Sequence, residues 1–152
     1  MFTLMLSDSL RSLIIRILLW TSLILFVLSL YLPAVSNSPD PRMHLDCANP
    51  TWIPGWMAFV AGPLGVVVAQ FGWLANPLML LAVLKGTRKS GIATCFAFLA
   101  IALTLFTAIS LTSIPNDLEG NAVCGFGPGY YVWIGCSVLV FIATFVKPAG
   151  EK

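Results

Sequence analysis

Long apolar runs alternate with short polar stretches along this chain, and that alternation predicts its elements. The first run covers residues 13–32, preceded by Arg11 and carrying Arg16 about one turn inside, where a long side chain snorkels to the near interface. A second run covers 56–84, a third 91–111 and a fourth 130–146. Each is long enough to cross a hydrocarbon core of about 30 Å as a helix. The second is too long for a single straight crossing, because 56–84 as one helix measures about 43 Å at 1.5 Å per residue. Pro63 lacks the N–H that would bond the Phe59 carbonyl, so a kink is expected there, and Pro77 predicts a second bend.

Between the runs the composition changes. Residues 33–55 hold Pro33, Pro39, Pro41, Pro50 and Pro54, which deny a regular helix or central strand. Residues 112–129 carry Pro115, Asn116, Gly120, Gly125, Gly127 and Gly129, a composition that permits a tight, irregular backbone. Both stretches read as loops. Aromatic residues edge them, with Trp52 and Trp56 closing the first and Tyr130, Tyr131 and Trp133 following the second, at the level where amphipathic rings meet lipid headgroups. The fold class expected is therefore all-α, an integral membrane four-helix bundle with two external loops and one transmembrane domain over 1–152.

Small residues mark how the helices pack. Ala58, Gly62, Gly65, Ala69, Gly72 and Asn76 follow steps of three and four, as do Ala93, Ala97, Ala100, Thr104 and Thr107 in the third run. Such stripes let helices approach closely, so the two are expected to face each other, unless the first serves a second copy of the chain.

Composition supports this class. Of 152 residues 59% are hydrophobic and 9% charged, with a mean hydropathy of +0.94, against roughly a quarter charged in soluble domains. A net charge of +2 is too small to suggest nucleic acid. It reports orientation instead. Arg11, Arg16, Lys85, Arg88, Lys89, Lys147 and Lys152 fall on one side of the predicted spans and only Arg42 on the other, which places both termini in the cytoplasm and both larger loops outside. A cleaved signal peptide is the rival reading of the first run, with Ala34 and Ser36 as small residues at the cleavage spacing, although the run is longer than a usual signal core.

That topology sorts the four cysteines. Cys47 and Cys124 fall one in each external loop, where an oxidising compartment favours a disulfide, worth about 4 kcal/mol for a loop of this length in the chain-entropy model. Cys95 and Cys136 fall inside spans and read as small buried hydrophobes. Single cysteines in each loop lack the Cys-x-x-Cys pair of quinone-linked thiol oxidoreductases, which makes that enzyme a distant alternative. Asp40, His44, Asp46 and Cys47 match no closed zinc pattern, so no metal site, cofactor or catalytic residue is assigned. The spans contain no Asp, Glu, Lys or His, which argues against proton pumping and coupled transport.

Polar residues at depth are Gln70 and Asn76, with Trp73 between them. Two readings follow. The amides hydrogen-bond neighbouring helices for about 1 kcal/mol each, or they line a cavity for a lipid headgroup, quinone or partner helix with Trp73 as its apolar wall.

The elements FGWLANPLMLLA in the second run and GFGPGYYVWIG entering the fourth resemble small four-span bacterial inner-membrane proteins, over about the last two-thirds of the chain. The resemblance implies a bacterial inner membrane and brings no activity with it. The expected role is a non-catalytic accessory or scaffolding subunit that binds membrane lipid and either another membrane protein or a second copy of itself, with Trp52, Trp56 and the loop around Cys124 as its external surface. The alternatives are a small-molecule, lipid or quinone-binding membrane protein acting as a weak channel or carrier, and an immunity-type protein against a pore-forming toxin.

Overall fold

The computed structural model describes residues 8–38, 47, 49–65, 71–86, 91–110, 113–114 and 121–146. In chain order the elements are α1 (Asp8–Tyr31), β1 (Pro33–Asn37), β2 (Thr51–Pro54), α2 (Gly55–Gly65), a 3-10 segment (Phe71–Leu74), α3 (Ala75–Gly86), α4 (Gly91–Ser110), β3 (Ser113–Ile114), β4 (Asn121–Phe126) and α5 (Pro128–Phe145). Three of these helices, within α1, α4 and α5, are long and apolar enough to cross a membrane. They coincide closely with the runs at 13–32, 91–111 and 130–146. An unbroken apolar sequence of about 20 residues has few alternatives to a helix that satisfies its own backbone.

The expected all-α class needs correction, because the two loops carry a four-stranded sheet. Its order is β2-β1-β4-β3, with every described pairing antiparallel. The prolines that argued against strands stand where the ladder does not need their N–H. Pro33 opens β1 and Pro54 closes the edge strand β2, opposite each other at the end of their pairing. Between them Val35 faces Ile53 on one side and Phe126 on the other. Ala34, Val35 and Ser36 are all buried, since β1 is covered by strands at both edges and its consecutive residues are shielded on both faces. Opposite β1, Ser36 faces Gly125 and Asn37 faces Val123, so Cys124 is the extra residue of a β-bulge.

The sheet joins the helices without linkers. Pro33 follows α1 after a single residue, Pro54 is succeeded directly by α2, and only Gly127 separates β4 from α5. Close backbone approach at these junctions is possible because the residues are glycines. A Cβ at Gly55 would collide with the Ser29 carbonyl oxygen, one at Gly127 with the Pro33 carbonyl oxygen, and one at Gly129 would lie 2.8 Å from that of Leu32. The amides of Gly55 and Gly127 donate across the same gap, each at 2.9 Å, to Leu32 and Ala34 carbonyls respectively.

Below the sheet α5 is the central helix, touching α1, α4 and α3. Ser22 of α1 donates to the Cys136 carbonyl of α5 at 3.2 Å. The small residues of α4, Ala93, Ala97, Ala100 and Thr104, are all buried. Ala100 packs with Ala75, Met79 and Cys136, and Ala97 with Ala82 and Val140, so this stripe serves α3 and α5 together.

The run at 56–84 differs most from one kinked helix. Pro63 lies inside α2, which is described as far as Gly65, a 3-10 segment precedes α3, and Pro77 occupies the first turn of α3, where no intrahelical N–H is required. The bend expected at Pro77 is therefore a helix start. The small stripe of this run is divided by the interruption. Gly72 lies against Thr107 of α4, Gly62 lies against Trp73, Gly65 is half-buried, and Ala69 falls outside the described residues.

Candidate functional site

The junction of α2 with the 3-10 segment involves Trp73 and, through it, Asn76, two of the residues read as candidates. It begins with the carbonyl of Phe59. Pro63 has no N–H to return to it, and an apolar surrounding makes an unanswered carbonyl costly. The donor comes from the Trp73 indole, whose Nε1–H binds the Phe59 oxygen at 2.9 Å. These residues are 14 apart in sequence, and in one continuous helix would be separated by about 21 Å. The chain has therefore folded back on itself. Gly62 makes room for this, because a Cβ there would occupy the space of the Trp73 ring and its Cβ.

The direction of α2 follows from its contacts with α1. Gly55 lies at Ser29, and the Phe59 ring meets Phe26 edge-on at 5.9 Å, so α2 runs antiparallel along the last turns of α1. Trp73 meets α2 near its middle, so α3 starts from that level, not beyond the end of α2.

From Trp73 a relay of hydrogen bonds continues to α5. Asn76 Nδ2 donates to the Trp73 carbonyl at 3.1 Å, and Trp133 Nε1 donates to Asn76 Oδ1 at 2.9 Å. An indole N–H can only donate, so it fixes which end of the Asn76 amide is oxygen. Next to Trp133, the Tyr130 ring lies 5.9 Å away and its hydroxyl donates to the Thr104 carbonyl of α4. Ser137 Oγ lies 3.1 Å from Met79 Sδ and 3.3 Å from the Trp133 carbonyl. Four elements are thus pinned through side-chain bonds.

Trp73 and Asn76 are joined by the hydrogen bond from Asn76 Nδ2, whereas Gln70 lies outside the described residues. Trp52 and Trp56 stand elsewhere, half-exposed on β2 and at the start of α2, with the Trp52 ring beside Gly127. Cys47 and Cys124 form a disulfide, with Cα atoms 5.6 Å apart. Cys136 is buried and Cys95 exposed. Asp40, His44 and Asp46 are outside the described residues, among which no group of three or more His, Cys, Asp or Glu side chains could hold a metal.

Trp133 and Phe59 are the members of the relay that sequence reasoning missed. Trp133 read as part of an interfacial belt. A signal for Phe59 was present in Pro63, four residues on, which guarantees a carbonyl seeking a donor, but nothing in the sequence says which donor answers.

The junction can do a limited kind of chemistry. Its indoles donate, its amide donates and accepts, and each of these groups is already engaged within the chain. Asn76→Leu keeps the branched shape of the side chain and strips both bonds, leaving the Trp133 N–H and the Trp73 carbonyl without those partners. Thermal unfolding in detergent should show a loss of about 2 kcal/mol, toward the upper end for interhelical bonds in membranes. Trp133→Phe, which removes one bond, should lose about half as much. A wild-type melting curve for Asn76→Leu would contradict the assignment.

No protein-family model matches the chain, and neither a curated protein nor a solved structure matches it.

Proposed function

We propose that this chain is a non-catalytic accessory or scaffolding subunit of a bacterial inner membrane, binding another membrane protein within the bilayer. It crosses four times, with α3 completing the second crossing, both termini in the cytoplasm and the sheet outside. The charge asymmetry of seven Lys and Arg against one supports that orientation. Tyr31, Trp56 and Tyr131 stand at the sheet ends of α1, α2 and α5 and Trp52 stands on β2, all 48% exposed or more, and an external headgroup belt suits them.

The observation that carries the role is the relay itself. Asn76, Trp73 and Trp133 spend their polar groups on one another and on the Phe59 carbonyl, so they favour helix packing over ligand contacts. Meanwhile none of the 11 residues of α2 is buried, which leaves a short apolar helix as surface next to Trp52 and Trp56. Purification from the native membrane in mild detergent or nanodiscs, followed by mass spectrometry, should recover a stoichiometric membrane-protein partner. Recovery of the chain alone would sink this reading.

One observation favours the second reading, a lipid, quinone or small-molecule carrier. The interruption between α2 and α3 is of the kind that membrane transporters place beside their binding sites. The same purification separates the two, since a carrier should bring one enriched lipid or quinone and no partner.

A further inference from the structure

The helix α2 is attached very differently at its two ends. At its start the attachment is backbone to backbone. The Gly55 amide donates to the Leu32 carbonyl, and Gly55 lies so close to the Ser29 carbonyl that no side chain fits between them. β2, which leads directly into Gly55, is held by its pairing with β1. Beyond the first turn the attachments among the described residues include the edge contact of Phe59 with Phe26, the Phe59 ring 6.3 Å from that of Trp73, the Trp73 ring seated on Gly62, and the bond from Trp73 Nε1 to the Phe59 carbonyl. No residue of α2 is buried, whereas α4 and α5 bury four and six.

We infer that α2 is a hinged flap, pivoting at Gly55 and latched by the Trp73 indole on the Phe59 carbonyl. Pro63 supplies the logic of the latch. By withholding its own N–H it leaves the Phe59 carbonyl dependent on a donor from outside the helix, so the helix satisfies that carbonyl only while it stays seated on Trp73. The groups on the body side are fixed independently. Asn76 holds the Trp73 carbonyl from one direction and is itself held by Trp133. Opening therefore breaks one side-chain bond and the ring contacts of Phe59 and Gly62, none of which belongs to the α3–α4–α5 packing. In the open state the Trp73 N–H and the Phe59 carbonyl become a free donor and acceptor on the two sides of the opening. The inference stands on the contacts of α2 and not on the identity of any partner.

Distances between spin labels in nanodiscs test it. In a background with Cys95→Ser and Cys136→Ala that keeps the Cys47–Cys124 disulfide, one label pair is placed at Val60→Cys and Phe98→Cys, from α2 to α4. A second pair, at Ile17→Cys and Phe98→Cys, reports on the body. All three sites are exposed. With the latch intact the 60–98 pair should give one narrow distance distribution. Trp73→Phe, which keeps a ring and removes the N–H, should broaden it about twofold or add a longer population while the 17–98 distribution stays fixed. Pro63→Ala reaches the latch from the other side without touching Trp73, because the new amide at 63 competes for the Phe59 carbonyl, and it decides the matter if Trp73→Phe fails to fold. Broadening in either variant with an unchanged body distance supports the flap. Unchanged 60–98 distances in both, or a body distance that moves as much, overturns it.

Discussion

Exchanging Cys47 and Cys124 together for serine lowers the stability of the folded chain by about 4 kcal/mol, the chain-entropy value for closing a loop between residues 77 positions apart. The position of the bond makes the expectation strong. Cys124 is the bulge residue of β4, and Cys47 lies four positions before the start of β2, so the link ties β4 to the chain entering β2, the strand on the other side of β1. Without it β2 is an edge strand of four residues held by one neighbour, and short two-stranded pairings are marginal alone. Thermal unfolding in detergent, run on the double variant and on the wild-type chain with a reductant, should give the same loss in both. A double variant that melts like the oxidised wild type would show that the sheet is held by its hydrogen bonds and packing alone.

The same substitution at two helical glycines should change stability in opposite directions. Gly55→Ala drives a methyl group into the Ser29 carbonyl oxygen, with the Leu30 Cα 3.1 Å away. Both obstacles are backbone, so no rotamer change relieves the clash, and the cost should be about 3 kcal/mol, at the upper end for overpacking. Gly135, on α5, meets nothing within 4 Å of its Cβ position. There alanine should add up to about 1 kcal/mol by removing the conformational penalty of a glycine inside a helix. Melting temperatures of the two single variants are the measurement. A neutral Gly55→Ala would mean that the junction of α1, β2 and α2 yields easily, contrary to its close approach.

What was legible in the sequence tracks how local the cause is. The α1, α4 and α5 helices are written in their own 20 or so apolar residues, and each appears close to its expected limits. The cysteine pairing was legible because two cysteines fall between the apolar runs and the other two fall inside them. The sheet was not, since its strands are two to six residues long and the residues that justify β1 come 89 positions later, where Gly125 receives the Ser36 hydroxyl. Proline counting then misled, because Pro33 and Pro54 forbid a strand interior but not its ends.

The 56–84 run failed for a different reason. Hydropathy is the same for one long helix as for a short helix that folds back beside the start of another, and only the length of about 43 Å, against a hydrocarbon core of about 30 Å, signalled that something had to give. Trp73 and Asn76 were recognisable as polar handles in an apolar run. Their roles were not recognisable, because they depend on the Phe59 carbonyl and the Trp133 indole, which become neighbours only after the chain has turned.

The linker-free joining of strands to helices also orders events during synthesis. β1 emerges just behind α1, but its neighbour β4 is made only after α2, α3 and α4, and β4 leads straight into α5. Until then one edge of β1 has no strand to pair with, and Cys47 has no Cys124 to join. The sheet is therefore sealed late, when the final helix takes its place beside α1, and the disulfide becomes a record that synthesis has reached its last strand. A chain stalled before β4 would carry Cys47 as a free thiol, and oxidation state would separate finished from unfinished copies.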